Sequence, residues 1–199
     1  MSAVSVAQRD VAGALRLPAG GCVTLRPVGA SDGAVLQAYV RGLSSESRYN
    51  RFFGALNELP PSELEHVTHL DRTHEVALVA EADVDGAPIV VAEARYALSR
   101  ERRECEFALS IADTWHRKGI GTLIMADVER RAASLGAERL VADVLRSNAP
   151  MKALARKAGF GLADVPRDAR LIRIVKDLAS PRTARPPLAG GAADLPLAA

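Results

Sequence analysis

Between residues 75 and 111 the hydrophobic period becomes two and stays so through three successive segments, and this run constrains the fold more than any other feature. Residues 75–82 (EVALVAEA) and 87–97 (APIVVAEARYA) are rich in Val and Ala, and Asp85-Gly86 between them is the signature of a tight hairpin turn. After a charged connection at 99–103, Cys105, Phe107, Leu109 and Ile111 alternate with Glu106, Ala108 and Ser110, which predicts a third consecutive strand. Residues 23–27 predict a first strand. Residues 30–42, with Ser31 and Asp32 as caps and Val35, Leu36, Tyr39 and Val40 at helical spacing, predict a helix after it. Segments 44–53 and 61–70 read as further helices. Beyond the three strands, Ile120, Leu123, Ile124, Val128 and Leu135 mark a helix face that Gly136 should end. Strand 139–145, helix 151–157 and strand 171–175 complete the order. The expected fold is a single α/β domain of the α+β type, its central, mostly antiparallel sheet flanked by helices.

Composition bounds the function classes. The 199 residues are 48% hydrophobic and 25% charged, values that exclude wholesale disorder and a fibrous repeat. A balance of 26 Lys+Arg against 24 Asp+Glu argues against nucleic acid as a partner. No apolar run reaches the ~18 residues a membrane helix needs, so no membrane is expected. Cys22 and Cys105 cannot make a disulfide framework, and with no signal-peptide pattern at the start a cytoplasmic location is expected. Pro18-Ala-Gly-Gly21 breaks whatever precedes it, so residues 1–21 read as a flexible segment and the working domain as 22–178. Residues 179–199, with four prolines and seven alanines, read as a disordered tail.

The stretch Trp115-His-Arg-Lys-Gly-Ile-Gly-Thr122 lies between the third strand and an amphipathic helix. Gly119 and Gly121 remove side chains where the first unpaired helix N–H groups emerge, so a pyrophosphate can approach the backbone and the positive end of the helix dipole. Arg117 and Lys118 add charge and Thr122 a hydroxyl. As a bare pattern this is equally a tight turn. It is neither a P-loop, which needs Lys and Ser/Thr after the second glycine, nor a dinucleotide fingerprint, which needs three glycines after the first strand of a parallel unit.

A strand, then [Gln/Arg]-x-x-Gly-x-Gly at a helix start, then a strand, then Asn148 opening a helix that ends in Lys157-Ala-Gly-Phe160, resembles the GNAT family of acyl-CoA-dependent N-acyltransferases over residues 23–178. His116 departs from the family's usual Gln or Arg. The resemblance implies a GNAT-like mixed sheet and acetyl-CoA as cosubstrate. It places the pyrophosphate on the backbone of His116, Arg117, Lys118, Gly119, Ile120, Gly121 and Thr122, and the pantetheine along Leu109, Ser110 and Ile111 with Asn148 opposite. Asn148 also reads as a helix N-cap, and both roles can hold. An amine with an ordinary pKa of ~10.4 is almost wholly protonated at neutral pH, a deficit of about 4.6 kcal/mol that a base helps remove. The resemblance points to Glu106 as that base, within Cys105-Glu-Phe-Ala108, a run like that around the catalytic Glu of bacterial protein-lysine acetyltransferases. Glu104 and Glu93 are lesser candidates, and a pairing of Glu106 with Arg95 is the alternative reading. Many GNAT enzymes carry a Tyr where this chain has Ala155, so the general acid stays unassigned.

Residues 43–53 (LSSESRYNRFF) look like the acceptor-bordering stretch of bacterial lysine acetyltransferases, making Arg48, Tyr49 and Arg51 candidate acceptor-site residues and Phe52 and Phe53 core rings. His66, His69 and His74 lack the companions a metal site needs, so no metal is expected. Cys22 and Cys105 read as small hydrophobes and Trp115 as a packing anchor. The expected function is transfer of an acetyl group from acetyl-CoA to an amine, with a protein lysine as leading acceptor. A small-molecule amine acetyltransferase and a non-catalytic acyl-CoA-binding sensor are the alternatives, and the protein is expected to be a monomer or homodimer. The cyclic-nucleotide or synthetase-like domain often joined to such enzymes is not expected in a chain this short.

Overall fold

The three consecutive strands form the middle of one sheet in the computed structural model, which describes residues 13–17, 21–99, 101, 103–166 and 168–178. In chain order the elements are β1 (Gly13–Arg16), β2 (Cys22–Pro27), α1 (Gly33–Gly42), α2 (Ser45–Phe52), α3 (Pro61–Thr68), β3 (Glu75–Val84), β4 (Ala87–Ser99) and β5 (Glu104–Ile111). There follow α4 (Ile120–Ser134), β6 (Arg139–Leu145), α5 (Ala149–Lys157), β7 (Gly161–Asp164) and β8 (Leu171–Asp177). The strands make an eight-stranded sheet in the order β1-β2-β3-β4-β5-β6-β8-β7. All neighbours are antiparallel except β5 and β6, which are parallel because α4 carries the chain across between them. The β3–β4 turn is closed by Asp85 and Gly86 at φ 53° and 81°, as the Asp-Gly pair predicts.

Each face of the sheet is covered by different helices and built from different chemistry. On one face Cys105, Phe107, Leu140, Ala142 and Val144 join Ile120, Ile124, Met125 and Val128 of α4 and Ala155 of α5 in the largest apolar cluster. Burial pushes the Cys105 thiol up to about 12, so it behaves as a small hydrophobe. On the other face α1 to α3 pack through smaller clusters around Leu36 and Tyr39. That face also buries Glu93, which is 2% exposed.

Two sequence expectations need correction, and one strand, β7, is not foreseen by the sequence. Within the segment read as flexible, Gly13–Arg16 forms β1 on the edge of β2, with Leu17 N–H donating to Gly21 carbonyl at 3.1 Å and Leu15 packed on the apolar cluster. Residues 1–12 and the 179–199 tail lie outside the described residues. β7 carries no apolar alternation and is exposed along its length, so only its pairing with β8 defines it. Leu135 is 38% exposed and lies past the end of α4. There Gly136 at φ 82° reverses the chain, its N–H donating to Ala133 and that of Ala137 to Ala132.

Candidate active site

The parallel pairing of β5 and β6 is short. Glu104, Cys105 and Glu106 oppose Arg139, Leu140 and Val141, and then the strands part although β5 runs on to Ile111 and β6 to Leu145. Ala112 N–H donates to the Val91 carbonyl of β4 at 2.9 Å. Counting back by the strand's alternation, Ser110, Ala108 and Glu106 also turn their main-chain groups to β4, whereas Leu109 and Ile111 turn theirs to the edge that β6 has left. Among the described residues that edge leaves the Leu109 main chain and the Ile111 N–H able to hydrogen-bond an extended, amide-bearing chain. Ser110 contributes differently from what its position in the expected Leu109-Ser110-Ile111 strip suggested. It is buried, and its hydroxyl lies 3.0 Å from that of Tyr39. Burial pushes the Tyr39 phenol far up, only partly offset by that bond, so the pair is a neutral link between α1 and β5.

At the end of this strip the chain turns into α4. His116 Nε2 donates to the Ile111 carbonyl at 2.9 Å and so closes the loop onto the strand it leaves. Arg117 takes a left-handed φ of 59°, and Lys118 lies over the Trp115 ring at 5.4 Å. Gly119 is the N-cap at φ 87°, a conformation that favours glycine, and no side chain caps the helix. The N–H groups of Ile120, Gly121 and Thr122 are thus the first-turn donors without a helical acceptor. The Ile120 side chain belongs to the core, while Thr122 is exposed. The Gly121 side is a correction. A Cβ there would meet Leu154 Cδ2 at 2.9 Å and Ile111 Cδ1 at 3.3 Å, so this glycine admits α5 rather than a ligand.

Across the parting, Asn148 caps α5, its Oδ1 accepting from Met151 N–H at 3.0 Å, and it lines the cleft. The cleft is a cavity of about 330 Å³ between β5, β6, the start of α5 and residues 50–53 at the end of α2 and just past it. A second, open groove of about 230 Å³ runs beside it past Arg95 and Glu75, and Glu106 borders both. Glu106 is exposed, and among the described residues no cation closes an ion pair on it. The alternative pairing with Arg95 is absent, because Arg95 Nε donates to Glu93 at 2.6 Å and its other end to Glu63. Glu104 pairs with Arg139 at 3.3 Å. Burial alone would push the Glu93 carboxyl up, but Arg51 and Arg95 overcome it and hold the group below the ordinary carboxylate range, so Glu93 is a structural anion.

The three residues expected at the acceptor side are used unequally. Arg51 lines both cavities, yet its guanidinium forks onto Glu93 with both bonds at 3.1 Å. Arg48 is spent on α1, donating to the carbonyls of Leu43 and Arg41. Tyr49 is 42% exposed and faces Arg170 of the β7–β8 connection. Sequence reasoning missed Asp113. Its carboxylate accepts from Ser44 N–H at 2.9 Å, Ser44 Oγ at 2.7 Å and Ser47 Oγ at 2.8 Å, clasping the start of α2 to the chain just before the Gly119 turn. Slight burial pushes its carboxyl up, but these donors outweigh it and bring it down to about 2. It also missed Asp143, on the cleft wall, and Arg173, which is bound to it. Ser44-Ser-Glu-Ser47 is a recognisable cap, but its partner 69 residues away is not. Among the described residues no group of three metal-ligating side chains converges, and no helix is long and apolar enough to cross a membrane.

The sequence profile described as the acetyltransferase (GNAT) family matches residues 44–160. An acetyltransferase of Pseudomonas aeruginosa is 28% identical over 138 residues, 69% of this chain and 74% of that protein. The GNAT domain of S. lividans PAT superposes with a TM-score of 0.74 at 25% identity, covering 83% of this chain and 96% of that one. A cAMP-binding acyltransferase from Mycobacterium smegmatis shares the fold with a TM-score of 0.56 at 22% identity, over 86% of this chain and 48% of that one.

Proposed function

The chain belongs to the acetyltransferase (GNAT) family, and from that premise we propose that it transfers an acetyl group from acetyl-CoA to an amine with Glu106 as general base. The observation that carries this reading is the place of Glu106 on the border of the β5–β6 cleft and the open groove, where a donor and an acceptor can meet. The residues fit the cosubstrate. The pantetheine amides bond to the main chain of Leu109 and the N–H of Ile111. The pyrophosphate sits on the uncapped N–H groups of Ile120, Gly121 and Thr122, with Arg117 and Lys118 adding charge and His116 holding the turn. Asn148 closes the cleft from the α5 side. Glu106 takes the proton as the amine nitrogen bonds to the thioester carbonyl carbon, and the C–S bond then breaks to release the thiolate. With a thiol pKa near ~8.5 that thiolate leaves without a dedicated side-chain acid, consistent with Ala155 being a buried apolar residue.

A protein lysine is the preferred acceptor in this reading. The groove past Arg95 and Glu75 is open, so a side chain still attached to a folded partner can reach Glu106. Arg51 lines the approach, while Tyr49 and Arg48 lie on the same short helix, α2. The protein, incubated with radiolabelled acetyl-CoA and a lysate of its own source, should label discrete proteins on lysine. E106Q should cut that labelling rate ~10²–10⁴-fold while acetyl-CoA affinity by calorimetry stays the same. Undiminished labelling by E106Q removes Glu106 as the base. Labelling confined to small amines moves the reading to a small-molecule enzyme.

A further inference from the structure

The helix start at Gly119 is packed from two sides. Its Gly121 side is filled by Leu154 of α5, and its Gly119 side by β1, a strand that precedes the residues 44–160 matched by the family profile. A Cβ on Gly119 would meet Leu15 Cδ2 at 3.4 Å, and one on Gly13 would meet Leu123 Cδ1 of α4 at 3.4 Å. The strand's alternation turns Gly13, Leu15 and Leu17 to this side, where both leucines pack on the main apolar cluster, and leaves Ala14 and Arg16 exposed on the other. β1 therefore lies against the N-cap and first turn of α4. Yet its own hold is slight. It is four residues long and stands at the end of the sheet order, so among the described residues it pairs with β2 alone. Short edge strands with few buried contacts open locally at a free energy well below that of global unfolding.

We propose that β1 is a strap on the cosubstrate turn, with Leu15 as its positioning residue, an inference that rests on the reading that the pyrophosphate sits on Ile120, Gly121 and Thr122. Gly119 at φ 87° has no side chain to restrict it, and no side chain caps the helix. The aim of those three N–H groups therefore depends on what packs against the turn. His116 fixes the strand end of the loop through the Ile111 carbonyl, and Leu15 fixes the helix end. With β1 docked the donors are preorganised. With β1 released the Gly119 turn regains freedom that the ligand must then remove, at a cost in affinity. Linkage makes the effect mutual, because a cosubstrate that binds the docked form more tightly also holds β1 down.

Hydrogen exchange of the full-length protein, read by mass spectrometry with and without saturating coenzyme A, tests this linkage. Exchange at residues 13–17 should slow about fivefold or more with the ligand, while that of the β3–β4 turn stays unchanged. By calorimetry L15A should weaken coenzyme A binding about 5- to 20-fold, and R16A, on the exposed face, should leave it unchanged. L15M, which conserves volume, should restore it. Unaltered exchange at β1, undiminished affinity in L15A, or equal losses in L15A and R16A would each overturn the strap. Should L15A fail to fold, exchange in the wild-type protein decides alone. Absence of coenzyme A binding by the wild-type protein defeats the cosubstrate reading and the strap with it. Full binding with an indifferent β1 defeats the strap and leaves that reading intact.

Discussion

The two halves of the cleft are built by different means. The proposed donor half is backbone: the strand edge at Leu109 and the Ile111 N–H, a turn held by His116 on the Ile111 carbonyl, and a helix start at Gly119 with no side-chain cap. The acceptor half is side-chain charge: Arg51 on Glu93, Arg173 on Asp143, Asp113 on Ser44 and Ser47, and Glu106 among them. If the proposed function holds, the difference teaches that binding the cosubstrate needs little more than local chain geometry. On the proposed reading, recognition of a particular acceptor is left to side-chain charges, some of which, like the buried Arg51–Glu93 pair, also hold the fold.

The largest effect should come from the buried charge beneath the acceptor half. Among the described residues, Glu93→Gln removes the only carboxylate on Arg51, which is 11% exposed, and leaves Arg95, 13% exposed, with Glu63 alone. It should cost about 3–5 kcal/mol in chemical denaturation. A loss under about 1 kcal/mol would mean that this half is no more dependent on its charges than an ordinary surface.

In the donor half the counterpart is Gly121→Val, which forces a branched side chain onto Leu154 and Ile111. It should lower stability by about 1–3 kcal/mol as overpacking does, and weaken acetyl-CoA binding only through the displaced α5. Full stability with binding abolished would show instead that the Gly121 side faces the ligand.

The smallest effect concerns the clasp joining the halves. Asp113 is held at about 2 against an ordinary unfolded value near ~3.9, so its contribution is present above the unfolded value and is lost as pH falls through about 2. Asp113→Asn should flatten the fall in stability between about pH 4 and 2, by under about 1 kcal/mol since the carboxylate is exposed. It should also raise KM for the acceptor more than KM for acetyl-CoA. An unchanged acid limb in thermal melts at stepped pH would sever Asp113 from the coupling of the halves.

The same contrast explains what the sequence discloses. The β3–β4 hairpin, β5, the Gly119 turn and the Asn148 cap are contiguous patterns whose cause lies within a few residues, and they are legible as strand period, turn chemistry and capping. Arg51 and Glu93 lie 42 residues apart and Arg173 and Asp143 lie 30 apart, and single charges of that kind carry no period. Arg51 lines the cleft but is bound to Glu93, and Arg48 is bound to main-chain carbonyls; a sequence shows that a guanidinium is present and not what it holds. β1 and β7 escape because four residues with little apolar alternation owe their extended form to a neighbour's edge.

The central claim, that the donor half is a backbone device separate from the charged half, is met most directly by backbone amide NMR of the full-length protein titrated with coenzyme A. The account predicts saturable shifts largest at the amides of Leu109, Ile111, Ile120, Gly121 and Thr122, with those of Glu93, Asp143 and Arg173 small. Largest shifts at the charged half, or no saturable shift around the Gly119 turn, would contradict it.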